Sequence, residues 1–164
     1  MIVTGPQIEQ DVENGRIILV PFQKSALNPN SYNYRLGRSI ECPVEGGGFI
    51  TEQLPDSGYV LRPRRTYLAH TLEVIGSPVY AMSLIGRSSI GRRGLFLTVS
   101  AEIEHTASCH RWTLEMFATN PFRVYPGMVI GQVSFWLNKG PLVPLPSIHV
   151  ALNESSEVGL ERER

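Results

Sequence analysis

The chain has 164 residues, 42% of them hydrophobic, and its 15 Lys+Arg residues balance its 15 Asp+Glu residues to a formal net charge of +0. This predicts one domain with a hydrophobic core, and it excludes the overall basic field of a non-specific nucleic-acid-binding protein. No apolar run is long enough to span a membrane, and the N-terminus has no basic leader. We therefore expect a soluble, cytoplasmic protein without a membrane or nucleic-acid partner.

Glycine and proline interrupt the sequence at short intervals, and the segments between them are rich in β-branched and aromatic residues. This pattern predicts an all-β sandwich or barrel. Pro6 to Asn14 predicts a short N-terminal helix, because it begins with proline and Gly15 follows it. The predicted strands, in chain order, are Ile17 to Pro21, Tyr32 to Leu36, Gly58 to Leu61, Thr66 to Ile75, Val79 to Ile85, Leu95 to Ala101, Arg111 to Ala118, Phe122 to Val124 and Met128 to Leu137.

Two segments do not read as regular structure. The glycine run at residues 46–48 predicts a flexible loop. Residues 138–164 predict a proline-rich, charged tail to a single β domain of residues 1–164. The two cysteines, Cys42 and Cys109, lie far apart, which argues against a disulfide scaffold and fits a reducing compartment.

The segment from Gly86 to Gly94 places two serines and three arginines between two predicted strands. We predict that Ser88 or Ser89 caps a short helical turn that Gly94 ends, so that hydroxyls and backbone N–H groups converge. Arg87 can then hold phosphate oxygens with paired hydrogen bonds. An isolated Arg-Ser-Ser is more often a basic surface turn than a phosphate site, so this segment alone does not establish phosphate binding.

The strand predicted at Arg111 to Ala118 alternates apolar and polar residues, which places Thr113 and Glu115 on one face. In one interpretation this face is exposed and Glu115 lies in water. In the other, Glu115 is a general acid and base. Replacing an amino group by water on a pyrimidine ring requires a group that takes a proton from water and returns it to the ring and the leaving nitrogen.

Five segments together resemble the dCTP deaminase family of the dUTPase-like superfamily, over roughly residues 8 to 137. They are Asn28 to Gly37, Tyr67 to Ala69, Gly86 to Arg92, Thr113 to Glu115 and Pro126 to Gln132. The resemblance implies a distorted β-barrel or jelly roll of the dUTPase-like type and a homotrimer with each active site at a subunit interface.

The resemblance also assigns the phosphate-binding residues. Arg87, Ser88 and Ser89 bind the triphosphate in this interpretation, and Gln132 reaches the phosphates. The substrate partner is then a nucleotide, and Mg²⁺ can accompany its phosphates.

The catalytic and base-reading residues follow from the same resemblance. Glu115 is the catalytic carboxylate, with Ser88 and Arg92 positioning it and the water, and deamination needs no cofactor. Ala101 matches the alanine at the start of the base-reading hairpin, and Glu104 stands where the family has an aspartate that contacts the sugar.

Two departures from the family pattern fall on the segments that select and enclose the substrate. The hairpin after residue 101 lacks both glycines of the family's Gly-x-x-Gly turn, so backbone that suited positive φ carries side chains. The C-terminal segment lacks the Tyr, Lys and Gln of the family's lid, and its acidic groups would repel a triphosphate.

A zinc-dependent alternative has little support. The His-x-Glu and Pro-Cys-x-x-Cys signature of zinc deaminases is absent. His105, Cys109 and His110 do cluster in the sequence, but a fourth ligand has no obvious source.

Three functions remain open from the sequence. The first is a divergent dCTP deaminase that releases ammonia. The second is a dUTPase-type pyrophosphohydrolase, alone or combined with deamination, for which Glu104 is the candidate base. The third is a catalytically silent trimeric nucleotide-binding or regulatory protein, which the altered hairpin and missing lid favour.

Overall fold

The computed structural model describes residues 1–97 and 102–143. Its helices are α1 (Gly5–Glu13) and α2 (Ser88–Gly91), and a 3-10 turn spans Lys24–Ala26. Its strands are β1 (Ile18–Val20), β2 (Leu27–Asn28), β3 (Ser31–Pro43), β4 (Phe49–Gln53), β5 (Tyr59–Leu61), β6 (Thr66–Thr71), β7 (Val74–Gly76), β8 (Tyr80–Gly86), β9 (Leu95–Leu97), β10 (Ile103–Glu104), β11 (Cys109–His110), β12 (Thr113–Ala118), β13 (Phe122–Val124) and β14 (Val129–Leu137).

Within these residues, most of the strands form one antiparallel sheet. Its order is β10-β8-β14-β3-β6-β12-β9, and β2 and β4 also pair with β3. A smaller sheet has the order β1-β7-β11, and β13 pairs with β5. The large sheet curls into a half-barrel, which confirms the predicted all-β fold with a short N-terminal helix.

The core lies inside the curled sheet, and β12 illustrates how alternation builds it. Leu114 and Met116 are fully buried and point inward, whereas Glu115 between them is half-buried on the outer face. Burying the two apolar side chains stabilises the fold by about 1.5–3 kcal/mol each. The predicted alternation of this strand is therefore confirmed.

Helix α1 has proline in its first turn, as its sequence predicts, and ends at Glu13. Asn14 is its C-cap, and Gly15 follows with φ of +68°. Its one buried carboxylate, Asp11, anchors the helix to the sheet. The hydroxyl of Tyr80 donates to Asp11 Oδ2 at 2.6 Å, and Arg16 Nε lies 3.3 Å from Asp11 Oδ1.

The strand predicted from Thr66 to Ile75 is wrong, because the chain leaves the large sheet within it. It divides into β6 and β7, and β7 pairs with β1 and β11. The Thr71 hydroxyl donates to the carbonyl of Glu73 at 2.7 Å, and the fully buried Glu73 carboxylate accepts from Arg35 Nε at 2.6 Å. These bonds hold a turn where the sequence pattern reads as continuous strand.

Other boundaries also differ from the prediction. The strand predicted from Tyr32 to Leu36 is longer, because β3 extends to Pro43. The glycine run beyond it forms a turn with φ of +82° to +99°. This turn leads into β4, which pairs with β3 and was not predicted from the sequence. The strand predicted from Leu95 to Ala101 is described to Leu97, and its remaining residues lie outside the described residues.

Two further findings bear on the composition. In the described part of the chain, no helix is long and apolar enough to cross a membrane. The buried Cys42 and the half-buried Cys109 both have free thiols.

Candidate functional site

The serine-arginine turn begins where β8 ends. Gly94, with φ of +90°, follows the helical turn as predicted. The predicted serine cap is wrong: Arg87 occupies the N-cap position with extended backbone, and no side chain caps the turn. Because the strand conformation continues through Arg87, Ser88 and Ser89 both lie inside α2 with exposed side chains.

The polar side chains of this turn differ in what they contact. The guanidinium of Arg93 lies 5.0 Å from the centre of the Phe122 ring, a cation-π contact that fixes it against the fold. The four other polar side chains of the turn are Arg87, Ser88, Ser89 and Arg92. None of them makes a hydrogen bond or an ion pair with any residue in 1–97 or 102–143. These groups are available to a ligand.

Gln132 lies beside the same turn. Its neighbour Gly131 is opposite Gly86, the last residue of β8. A side chain at Gly131 would collide with Tyr34, since a Cβ there would lie 2.0 Å from the Tyr34 hydroxyl, which donates to Ile85 O at 3.1 Å. A register shift between Val129 and Gly131 precedes Gln132, and such irregularities re-aim side chains.

A cavity of about 370 Å³ lies over this part of the sheet. Gln132, Ser31, Ser83 and Ser134 line it with polar groups, and the half-exposed Trp136 lines it with an aromatic ring. The hydroxyl of Ser31, which the sequence analysis did not single out, donates to Gln132 Oε1 at 2.9 Å. The cavity therefore combines hydrogen-bonding groups with an aromatic wall, and the exposed carboxylate side chain of Glu102 also lines it.

Glu115 lies elsewhere on the sheet. It faces outward on β12, opposite Leu68 of β6, and β3 and β6 separate β12 from β14. Three strand steps correspond to about 14 Å. The exposed rings of Phe96 and Phe117 pair next to it on the same face. One chain therefore does not bring Glu115 to the cavity beside Gln132.

The predicted base-reading segment forms a turn between β10 and β11. Glu104 pairs with Met82 of β8, and Cys109 pairs with Gly76 of β7. Between them Ala107 has φ of +72°, a conformation that suits glycine. Ala101, the predicted start of this hairpin, lies outside the described residues.

The strained backbone of Ala107 yields a stability prediction. An L-residue in the left-handed region costs about 1–2 kcal/mol relative to glycine. Part of this cost is offset because the unfolded chain has less conformational entropy with alanine than with glycine at this position. We expect Ala107→Gly to stabilise the fold by about 0.5–1 kcal/mol in urea unfolding. Ala26→Gly, at a residue with negative φ, is the control and should destabilise it. A destabilised Ala107→Gly chain would contradict the assigned backbone conformation.

Glu104 is the one carboxyl group in this region with a clearly shifted titration. Burial raises its pKa from 4.5 to about 8. At neutral pH this carboxyl group is therefore mostly protonated, a form that can donate a hydrogen bond to a ligand.

This shift makes stability depend on pH. Above pH 4.5 the unfolded chain loses this proton, whereas the folded chain keeps it until about pH 8. The free energy of unfolding therefore decreases as pH rises from about 4.5 to about 8, and the contribution of Glu104 is constant above that range. We expect the melting temperature of Glu104→Gln, relative to the parent, to rise across this window. The exposed Glu102→Gln is the control, and an equal trend in both variants would contradict the assignment.

The zinc alternative receives no support from the described residues. No three His, Cys, Asp or Glu side chains come together there in a way that could hold a metal ion. The ring of His110 is instead used within the fold, because its Nδ1 donates to Arg111 O at 2.9 Å and its centre lies 3.7 Å from that of the Trp112 ring.

The fold is a curled antiparallel half-barrel that places a serine-arginine turn beside the strand that carries Gly131 and Gln132. The dCTP deaminase-like family model matches residues 2–138, and the chain belongs to this family.

Curated relatives point the same way. The "dCTP deaminase, dUMP-forming" of Cytophaga hutchinsonii is 37% identical over 150 residues, covering 85% of this chain and 84% of the relative. Proteins of the same name from Clostridium acetobutylicum and Leptospira biflexa are 36% identical over 145 residues and 32% identical over 167 residues. The alignment covers 82% of this chain and 82% of the Clostridium relative, and 98% and 95% for the Leptospira relative.

A solved structure supports the fold. The crystal structure of 2'-deoxycytidine 5'-triphosphate deaminase from Agrobacterium tumefaciens superposes with a TM-score of 0.69 at 18% identity. The match covers 84% of this chain and 48% of that chain, so this chain corresponds to about half the length of its structural neighbour.

Proposed function

We propose that this protein hydrolytically deaminates dCTP or a closely related cytosine nucleotide, releasing ammonia and the uracil nucleotide. The observation that carries the proposal is the serine-arginine turn of a dCTP deaminase-like chain, whose side chains at Arg87, Ser88, Ser89 and Arg92 are not used by the fold in the described residues.

The chemistry assigns Glu115 to the proton transfers. Water attacks C4 of the cytosine ring while Glu115 takes its proton, so a C4–O bond forms. Glu115 delivers this proton to ring N3 and then carries the second proton from the new C4 hydroxyl to the amino nitrogen. The C4–N bond breaks, C4=O forms, and ammonia departs. Ser88 and Arg92 hold the water and the carboxylate. We propose no metal for this step.

The phosphates occupy the other half of the site. Arg87 and the two serine hydroxyls of the turn donate to phosphate oxygens, and Gln132 donates from the adjacent strand. Mg²⁺ enters as a counter-ion of the triphosphate. Protonated Glu104 donates to the sugar or the base, and Ala101 begins the base-reading segment.

A second copy of the chain completes this site. Glu115 lies three strands from Gln132, and its face carries the exposed Phe96 and Phe117, an apolar surface suited to burial in an interface. We propose a homotrimer in which Glu115 of one subunit meets Ser88 and Arg92 of the next, since rotational closure is the usual outcome of such contacts.

A second reaction is supported by the names of the relatives. Formation of dUMP from dCTP requires a second hydrolysis besides deamination. Water attacks the α-phosphorus, the bond from it to the oxygen that bridges the α- and β-phosphates breaks, and pyrophosphate is released. Glu104 is the candidate base for that hydrolysis, but with its pKa near 8 it is mostly protonated at neutral pH. Pyrophosphate release through Glu104 should therefore increase with pH toward and above 8.

A panel of cytidine and uridine nucleotides, resolved by chromatography, tests these functions against each other. Deamination alone yields ammonia and dUTP from dCTP. The combined reaction yields ammonia, dUMP and pyrophosphate. Binding of dCTP with neither product would contradict the proposal and favour a silent nucleotide-binding protein.

A further inference from the structure

A chain of three side-chain hydrogen bonds ends at the amide of Gln132. Asn33 Nδ2 donates to Asn28 Oδ1 at 3.3 Å, and Asn28 Nδ2 donates to the hydroxyl oxygen of Ser31 at 3.1 Å. The Ser31 hydroxyl then donates to Gln132 Oε1 at 2.9 Å. Gln132 is also the strand partner of Asn33, so this series of hydrogen bonds begins and ends at two residues that are paired across β3 and β14.

The direction of this chain decides which end of the Gln132 amide is available. A hydroxyl has one hydrogen, and Ser31 gives it to Gln132 Oε1 while its own oxygen accepts from Asn28. The two N–H groups of Gln132 Nε2 remain, and among the described residues neither has a partner. An amide held with its N–H groups free suits an anion.

The position of these N–H groups agrees with that chemistry. Gln132 and Ser31 line the same cavity, and Gly131 lies opposite Gly86, one residue before Arg87. Gln132 pairs with Ile85 of β8, and Arg87 follows two residues later at the N-cap of α2, so the amide and the guanidinium both lie near the end of β8 where the turn begins.

We propose that Ser31 is a positioning residue that holds Gln132 with its Nε2 N–H groups toward a polyphosphate. The inference rests on the nucleotide site proposed above and deepens it. Without the Ser31 hydroxyl, the amide can turn and present Oε1, which repels phosphate oxygens. The effect of Ser31 therefore passes through Gln132.

Calorimetric binding of inorganic tripolyphosphate tests the proposal without relying on turnover. We expect Ser31→Ala to weaken binding about ten-fold, the loss of a charge-assisted hydrogen bond, and Ser31→Thr to restore it to within about two-fold. In a Gln132→Ala background, Ser31→Ala should change the affinity less than about two-fold, because no amide remains to be oriented. Thermal unfolding verifies that each variant folds.

Two outcomes overturn the inference: Ser31→Ala binds tripolyphosphate like the parent, or it loses the same factor with and without Gln132. Ser134→Ala, which removes another hydroxyl from the same cavity, must cost less affinity than Ser31→Ala. Ammonia release from dCTP is measured separately. If the parent deaminates dCTP and Ser31→Ala does not change tripolyphosphate binding, the proposed function holds and the role of Ser31 is wrong. If the parent binds tripolyphosphate through Ser31 but releases no ammonia, the role of Ser31 holds and the proposed function is wrong.

Discussion

Glu115→Gln is expected to lower the rate of ammonia release from dCTP by roughly 10²–10⁴-fold, the range for loss of a general acid and base. The substitution keeps the volume and removes the titrating group. Because Glu115 is half-buried on the outer face of β12, the core beneath it is not disturbed. The measurement is the single-turnover rate at saturating dCTP, together with the dCTP affinity by calorimetry.

The affinity for dCTP should change little, since the interaction is needed in the transition state rather than for binding. Glu52→Gln, the same chemical change at a half-buried position on β4, is the matched control and should leave the rate unchanged. Ammonia release at the parental rate from Glu115→Gln would remove this residue from the mechanism.

Arg87→Ala is expected to weaken dCTP binding by roughly 1.5–3 kcal/mol, the range for hydrogen bonds to charged groups. Arg87 has no ion pair or side-chain hydrogen bond within the described residues, so the substitution removes no contact of the fold there. The loss should shrink as salt rises, because ions screen the attraction between guanidinium and phosphate. Calorimetric titration at two ionic strengths measures both effects.

Arg93→Ala provides the matched control for charge. It removes one positive charge from the same turn, but its guanidinium faces the ring of Phe122. We expect its dCTP affinity to remain within about two-fold of the parent, as for a screened surface charge. Equal losses from the two arginine substitutions would indicate general attraction rather than a phosphate contact at Arg87.

Local patterns predicted the parts of the structure that local physics decides. The alternation of β12 places Glu115 opposite the core because side chains on a strand alternate between faces. Gly94 follows the serine turn with positive φ because glycine tolerates that conformation. Similarly, the proline near the start of α1 and Gly15 beyond its end marked a helix that the structure contains.

Contacts between distant residues explain what the patterns missed. The break between β6 and β7 depends on the burial of Glu73 against Arg35, which lies in another strand. The hydrogen bond from Ser31 to Gln132 joins residues 101 positions apart. Hydrophobic periodicity is a local signal, so it does not predict which distant residue each member of such a pair contacts.

The serine cap shows how two local signals compete. Serine favours the cap position of a helix, but here the strand conformation extends through Arg87, which takes that position. The serines are consequently exposed within the turn rather than bonded to its backbone. Their hydroxyls stay available, which the phosphate-binding assignment of Ser88 and Ser89 requires.

The most direct test of a deaminase site shared between subunits is complementation between two inactive variants. Glu115→Gln and Arg92→Ala chains, each inactive alone, are co-expressed and the mixed trimers purified, with light scattering to verify their size. If each site takes Glu115 from one subunit and Arg92 from the next, every mixed trimer contains one intact site out of three, and about a third of the parental ammonia release should return. Mixed trimers as inactive as either variant alone would contradict the shared site.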